Sequence, residues 1–187
     1  MNIDATVNFN GGPRLFLIND FFSSDLDADL FNLFVNFKTN PDWQDMDDFS
    51  HNKGRLVYKG TNPIVDKVRV VGEEYLTELS SLLGKTITFN GISLWVDSPG
   101  YKIPPHCDAP HFDHAVQIYM TDPLRQFEMM GTAFYTPAKK YIFEIPYRRN
   151  SGYFIDSTHN IMHGLHHHIP PEYYRYSVYL RYRTANL

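Results

Sequence analysis

The sequence predicts a mainly β fold of the sandwich or barrel type, with helices buttressing one face. Three observations predict it. From Thr86 onward short β-rich runs follow one another, separated by turn residues, which is how sandwiches and barrels read. Two helical periodicities precede them, both ending by Gly84. Aromatic residues make up 16% of the chain, as 13 Tyr, 14 Phe and 2 Trp, a load that favours strands and a walled pocket over a helical bundle.

At 187 residues the chain fits one domain. Its 43% hydrophobic and 20% charged content supplies a packed core and excludes disorder over the whole length. Residues 1–13 read as a loose lead-in and residues 14–187 as the domain. The helices fall within 14–84 and the β core starts at about residue 86.

Taken in order, Arg14–Ile18 is a β-type run closed by Asn19-Asp20. Ser23 or Ser24 offers an N-cap, Asp25 and Asp27 suit the first turn, and Leu26, Leu30, Leu33, Phe34 and Phe37 repeat at helical spacing until Asn40-Pro41. Asp42–Ser50 is acidic and turn-like, and Arg55–Tyr58 is a strand. A second helix follows Asn62-Pro63, with Val68, Val71, Tyr75, Leu79 and Leu82 on one side and Gly84 as its stop. Strands are then expected at Thr86–Phe89, Ile92–Val96, Ala115–Met120, Thr132–Tyr135, Tyr141–Ile145, Tyr153–Ile155 and Arg175–Tyr182. There is no internal repeat.

The charge balance narrows function. A net charge of −4 and a pI near 6.1 give no global basic field to recruit nucleic acid or anionic lipid. A single cysteine, Cys107, excludes an intramolecular disulfide framework and points to a reducing, cytoplasmic setting. Met1–Gly12 lacks the apolar stretch of a signal peptide, and no apolar run is long enough for a membrane span.

Of the nine histidines, eight lie between His106 and His168. Within them, His106-Cys107-Asp108 places an imidazole and a carboxylate two residues apart, on one face of an extended segment, with Cys107 turned away as a small buried filler. The best third ligand is His163, ahead of the final strand. Two His and one Asp hold one face of an octahedral metal and leave three positions open, a set that suits non-haem Fe(II). His159 and His166–His168 lie close by as competing candidates, with the triple histidine more simply a solvated loop or a pocket rim. Arg175 and Ser177 share a face at the start of the last strand. A buried guanidinium needs an anionic partner, and a small dicarboxylate reaching from the metal supplies one, with the Ser hydroxyl adding a hydrogen bond.

In this order, His106-x-Asp108, His163 and Arg175-x-Ser177 resemble the Fe(II)/2-oxoglutarate-dependent oxygenase superfamily, in its small, prolyl-hydroxylase-like members. The flanking residues are similar too: Asn19-Asp20-Phe21-Phe22-Ser23 before the first helix, Pro99-Gly100 ahead of the first ligand, and Gly152, Asp156-Ser157 and His163-Gly164 around the distal one. The resemblance spans residues 14 to 183 and implies a double-stranded β-helix (jelly-roll) core. It implies Fe(II) on His106, Asp108 and His163, with 2-oxoglutarate and O2 as co-substrates. The far carboxylate of 2-oxoglutarate would pair with Arg175 and Ser177, and Tyr119 matches a tyrosine that prolyl-hydroxylase-like members place there. The implied reaction is hydroxylation of an unactivated C–H, with 2-oxoglutarate decarboxylated to succinate. Asp108 itself disfavours halogenation, whose enzymes carry a small residue at that place.

The substrate is not legible. A peptidyl or free amino acid and a small metabolite both fit, with Trp95, Tyr101, Phe134 and Tyr135 as pocket residues by position, and His111 and His114 as surface-loop histidines or mouth residues. Arg181, six residues after Arg175, resembles the spacing of nucleic-acid demethylases, and the acidic balance argues against that substrate. The contrasting class is a non-catalytic or cupin-like jelly roll that holds a metal without 2-oxoglutarate.

Overall fold

The computed structural model describes residues 1–9, 14–46, 54–108, 114–122, 129–156 and 161–185. The expectations placed on Asp47–Ser50, His111, Ser157 and His159 therefore lie outside the described residues.

The architecture follows from alternation along the strands. On the last strand, Arg175–Thr184, Val178, Leu180 and Tyr182 point to a core shared with the helices, while Tyr179 points to a second core. Neighbouring strands divide in the same way. Val116 and Ile118 face the helices, whereas Ala115 and Tyr119 face away, and Phe154 is likewise opposed to Tyr153 and Ile155. A sheet buried on both faces is the result, with helices on one side and a smaller sheet on the other.

We number the strands β1 (Asn2–Asn8), β2 (Arg14–Asn19), β3 (Trp43–Asp45), β4 (Arg55–Tyr58), β5 (Ile87–Asp97), β6 (His114–Tyr119), β7 (Ala133–Tyr135), β8 (Tyr141–Glu144), β9 (Ser151–Asp156), β10 (Met162–Gly164) and β11 (Arg175–Thr184). The large sheet runs β1-β2-β9-β6-β11-β5-β4-β3 and the small one β10-β7-β8, all paired antiparallel. His106 adds an antiparallel bridge to His163 on the open edge of β10. From β5 onward the chain alternates between sheets: β5, the His106 bridge, β6, the β7–β8 hairpin, β9, β10 and β11. That winding is a jelly roll, the double-stranded β-helix expected.

Helix α1 (Ser24–Val35) is capped by Ser23, whose Oγ accepts from Leu26 N, and it buries Leu26, Leu30, Leu33 and Phe34. The expected second helix is divided. Helix α2 (Pro63–Glu74) starts at an Asn62 cap, and α3 (Leu76–Leu83) ends at Gly84 with φ of 67°. Between them Tyr75 is the cap of both helices, with ψ of −1°, and its ring packs on Phe21. No described helix is long and apolar enough to cross a membrane.

Other differences come from long-range pairing. Most of the lead-in forms β1, which pairs with β2, and β3 emerges within the acidic stretch by pairing with β4. The two runs Thr86–Phe89 and Ile92–Val96 form one strand, β5, through an irregularity where Gly91 takes φ of 149° opposite Arg181. The three-residue β10 had no signal in the sequence beyond its Gly164.

Candidate metal centre and buried charged cluster

The structure brings His106, Asp108 and His163 together. One ligand atom from each lies within 4.8 Å of the others, the only such group of His, Cys, Asp or Glu among the described residues. Backbone pairing sets the approach: His106 N–H donates to His163 O at 3.0 Å, and His163 N–H donates to His106 O at 2.9 Å.

Each imidazole is oriented by a carbonyl. His106 Nδ1 lies 2.9 Å from Pro104 O and His163 Nδ1 lies 3.3 Å from Ile161 O. A carbonyl only accepts, so each Nδ1 carries a proton and each Nε2 is the nitrogen turned toward Asp108. The Nε2 atoms stand 3.7 Å and 3.6 Å from Asp108 Oδ1. The second oxygen, Oδ2, accepts from the Tyr179 hydroxyl at 2.9 Å. Asp108 therefore has one oxygen tied back and one facing both imidazoles. Burial alone would raise the Asp108 pKa, but His163, His106 and the Tyr179 hydroxyl override it and hold the carboxyl well below its ordinary range. Two imidazole nitrogens and one anionic oxygen on a common point form a donor set for a divalent transition metal.

His163 and not His166 lies beside His106 and Asp108. His166 lies by the Tyr135 hydroxyl at 3.3 Å and against the Tyr141 ring, and His167 and His168 are exposed, as expected for a rim. Cys107 is turned to Met162, its Sγ 3.2 Å from Sδ. His114 corrects an expectation. It is fully buried at the start of β6, with Nε2 3.1 Å from Thr184 Oγ1 and Nδ1 3.3 Å from Asp156 Oδ1. Its ring packs on Phe154 in the helix-side core, since strand alternation turns it away from the metal centre.

Further along the same interior, Arg175 is 2% exposed and already has an anionic partner within the chain. Its Nη1 donates to Asp97 Oδ2 at 2.8 Å, Nε to Met130 O at 2.7 Å, and Nη2 to Thr132 Oγ1 at 3.2 Å. Asp97 also takes Arg55, through Nε at 2.6 Å and Nη2 at 3.1 Å. β4, β5 and β11 lie side by side, with Arg55 and Arg175 each opposite Asp97. Two guanidiniums thus share one carboxylate, and the buried group carries one uncancelled positive charge. Arg55 also lies over two rings, 4.2 Å from the Trp95 centroid and 4.8 Å from that of Tyr101.

The Arg175 guanidinium lies over the Tyr119 ring, 5.1 Å from its centroid, while Ser177 reaches Arg175 through intermediaries. Tyr119 donates to Thr132 Oγ1 at 2.9 Å and accepts from Thr132 N at 2.8 Å. Thr132 donates to Gln117 Oε1, which also accepts from Tyr153, and Gln117 Nε2 donates to Ser177 Oγ at 3.2 Å. Beside this cluster, the Tyr101 hydroxyl and Trp95 Nε1 are buried donors without an acceptor among the described residues. Arg55, Asp97, Thr132, Gln117 and Tyr179 escaped the sequence reading. Tyr179 had a signal, because it shares the parity of Arg175 and Ser177.

No protein-family profile matches the sequence, and no curated protein does. Solved structures do match. A prolyl hydroxylase from Trichoplax adhaerens, in complex with a hypoxia inducible factor oxygen degradation domain peptide fragment, superposes with a TM-score of 0.69. It is 14% identical, over 91% of this chain and 83% of that one. The fold is shared with prolyl hydroxylases. A Pseudomonas putida prolyl-4-hydroxylase gives 0.66 at 11% identity, covering 91% and 92%. HygX from Streptomyces hygroscopicus, with nickel, 2-oxoglutarate and hygromycin B bound, gives 0.63 at 9% identity, covering 91% and 83%.

Proposed function

We propose that this protein is an Fe(II)- and 2-oxoglutarate-dependent oxygenase, a hydroxylase of an unactivated C–H in a peptidyl or free amino acid or a small metabolite. The observation that carries the reading is the arrangement of charge along one interior. A divalent metal held by His106, Asp108 and His163 would leave one net positive charge at that end. Arg55, Arg175 and Asp97 leave one at the other. A dicarboxylate neutralises both, and buried charge is tolerated only when paired.

The residues fit the iron: two Nε2 atoms and one carboxylate oxygen converge, and their remaining atoms are fixed by Pro104, Ile161 and Tyr179. They fit the co-substrate as well, because the Tyr101 hydroxyl is a buried donor with no acceptor beside an under-neutralised guanidinium pair. When bound, iron and 2-oxoglutarate supply the O2 chemistry, coupled to decarboxylation to succinate. The chain supplies position. His106, Asp108 and His163 hold the metal on one face, Arg175 receives the far carboxylate, and Ser177 and Tyr119 hold Gln117 and Thr132 in register behind it. Tyr153, Tyr179 and Phe134 wall the interior against water.

The substrate class follows the structural neighbours: a peptide fragment in the Trichoplax enzyme and hygromycin B in HygX. A metal-holding jelly roll that uses no 2-oxoglutarate is the second reading, favoured in one respect because Arg175 is already partnered by Asp97. Anaerobic titration with Fe(II) and then 2-oxoglutarate separates the two. A visible charge-transfer band that saturates with 2-oxoglutarate supports the oxygenase, and iron binding without the band supports the second reading.

A further inference from the structure

We propose that Arg55 and Tyr101 complete the receptor for the far carboxylate of the co-substrate and set its preference for a dicarboxylate over a monocarboxylate 2-oxo acid. The assignment rests on the oxygenase reading and adds residues that the motif of ligands and Arg175 does not contain.

Arg175 and Asp97 alone form a neutral pair. An incoming carboxylate would then meet the Asp97 carboxylate as much as the Arg175 guanidinium, and in a dry interior that repulsion cancels most of the attraction. Arg55 changes the sum. It engages Asp97 Oδ1 at 2.6 Å and Oδ2 at 3.1 Å, while Arg175 takes Oδ2 at 2.8 Å, so one carboxylate is shared by two guanidiniums and the cluster keeps one uncancelled positive charge. Of the five N–H donors on Arg175, three have hydrogen-bond partners among the described residues, Met130, Asp97 and Thr132, which leaves two for an anion.

Stacking holds Arg55 in place. Its guanidinium lies over Trp95 and Tyr101, and it is 6% exposed. Trp95 in turn stacks on Tyr179 at 4.6 Å, and Tyr179 holds Asp108. One wall therefore runs from the charged cluster to the metal centre through Arg55, Trp95 and Tyr179.

Tyr101 gives the independent observation. It is 2% exposed, its hydroxyl has no hydrogen-bond partner among the described residues, and it lies beside Arg55, Asp97 and Arg175. A buried hydroxyl without a partner costs stability unless a ligand completes it. Burial pushes its pKa up, so it stays a donor, and the oxygen it lacks is one a carboxylate provides.

The test measures 2-oxoglutarate and pyruvate binding to Fe(II)-loaded protein without oxygen, in wild type, Arg55→Met, Tyr101→Phe and Arg55→Met/Asp97→Asn. Pyruvate carries only the metal-chelating end. Arg55→Met should weaken 2-oxoglutarate by at least about tenfold and leave pyruvate within about twofold. The double variant returns the cluster to one positive charge and should recover most of the loss, which a packing defect would not do. Tyr101→Phe should weaken 2-oxoglutarate by about tenfold. It removes only an unpartnered oxygen, so that arm stands even where Arg55→Met does not fold. Wild type that binds 2-oxoglutarate no better than pyruvate overturns the oxygenase reading itself. Wild type that prefers 2-oxoglutarate, with the preference intact in Tyr101→Phe and Arg55→Met, overturns only the roles given to these two residues.

Discussion

The Tyr179 hydroxyl donates to Asp108 Oδ2 at 2.9 Å and thereby leaves Oδ1 to face both His106 and His163. A carboxylate held this way binds through one oxygen and does not swing to chelate. Tyr179→Phe keeps the ring, and with it the stack on Trp95. Its metal affinity should fall by about 10- to 100-fold, the usual effect of losing a partner behind a ligand. Metal titration with a competing chelator measures it, and unchanged affinity would remove Tyr179 from the site.

His163 and His166 make opposite forecasts. His163→Ala should abolish tight Fe(II) binding, whereas His166→Ala, which loses contacts to Tyr135, Tyr141 and His167, should bind as wild type does. The reverse pattern would move the distal ligand to the rim.

Gly164 follows His163 where the His106 segment crosses β10. A Cβ there would lie 2.7 Å from Ile103 O and 2.9 Å from Pro104 O, and Pro104 O is the atom that orients His106. Gly164→Ala should therefore displace His106 and weaken metal binding more than it weakens the fold. Comparing metal affinity with urea unfolding of the metal-free protein separates the two effects.

Asp97 is fully buried between two guanidiniums. Asp97→Ala leaves both unpaired and should cost about 3–5 kcal/mol. Denaturant unfolding of the metal-free protein reads this directly, and a loss below about 1 kcal/mol would show that water reaches the cluster.

These residues also mark what the sequence could and could not disclose. His106-x-Asp108 was legible because two residues of one extended segment share a face whatever surrounds them, and Arg175, Ser177 and Tyr179 obey the same rule on β11. Arg55 and Asp97 were not. They meet because β4 and β5 pair at a register fixed by the whole sheet, and an acid at the end of an apolar run reads equally well as a turn. β1 was hidden for the same reason, since its largely exposed residues carry little signal until β2 lies beside them. Tyr75 kept the helical spacing through the point where α2 ends, so periodicity alone could not divide the two helices.

Glu144 gives a pH dependence. Burial raises its pKa from 4.5 to about 7, against the opposing effects of the Gly131 N–H and Arg175. Between those values the folded protein holds a proton that the unfolded chain has released. Stability contributed by this group is thus present at pH 4.5, declines as the pH rises, and is lost above about 7. Glu144→Gln should flatten that part of the profile, and urea midpoints at pH 5.5 and pH 8 compare the two proteins. An unchanged slope would exonerate Glu144.

The bridge between His106 and His163 consists of two backbone hydrogen bonds at the open edge of the small sheet. The proximal half of the metal centre is thus hung on the last rung of a ladder. A metal on both imidazoles would act as a clasp, joining the connection after β5 to the strand before β11 and shutting the roll. Loading should then register as protection of the His106 and His163 amides from hydrogen exchange. It should also stabilise the whole protein by about 2.7 kcal/mol at a metal concentration one hundred times the Kd. By this reckoning an ion bound there would also fasten the seam of the roll.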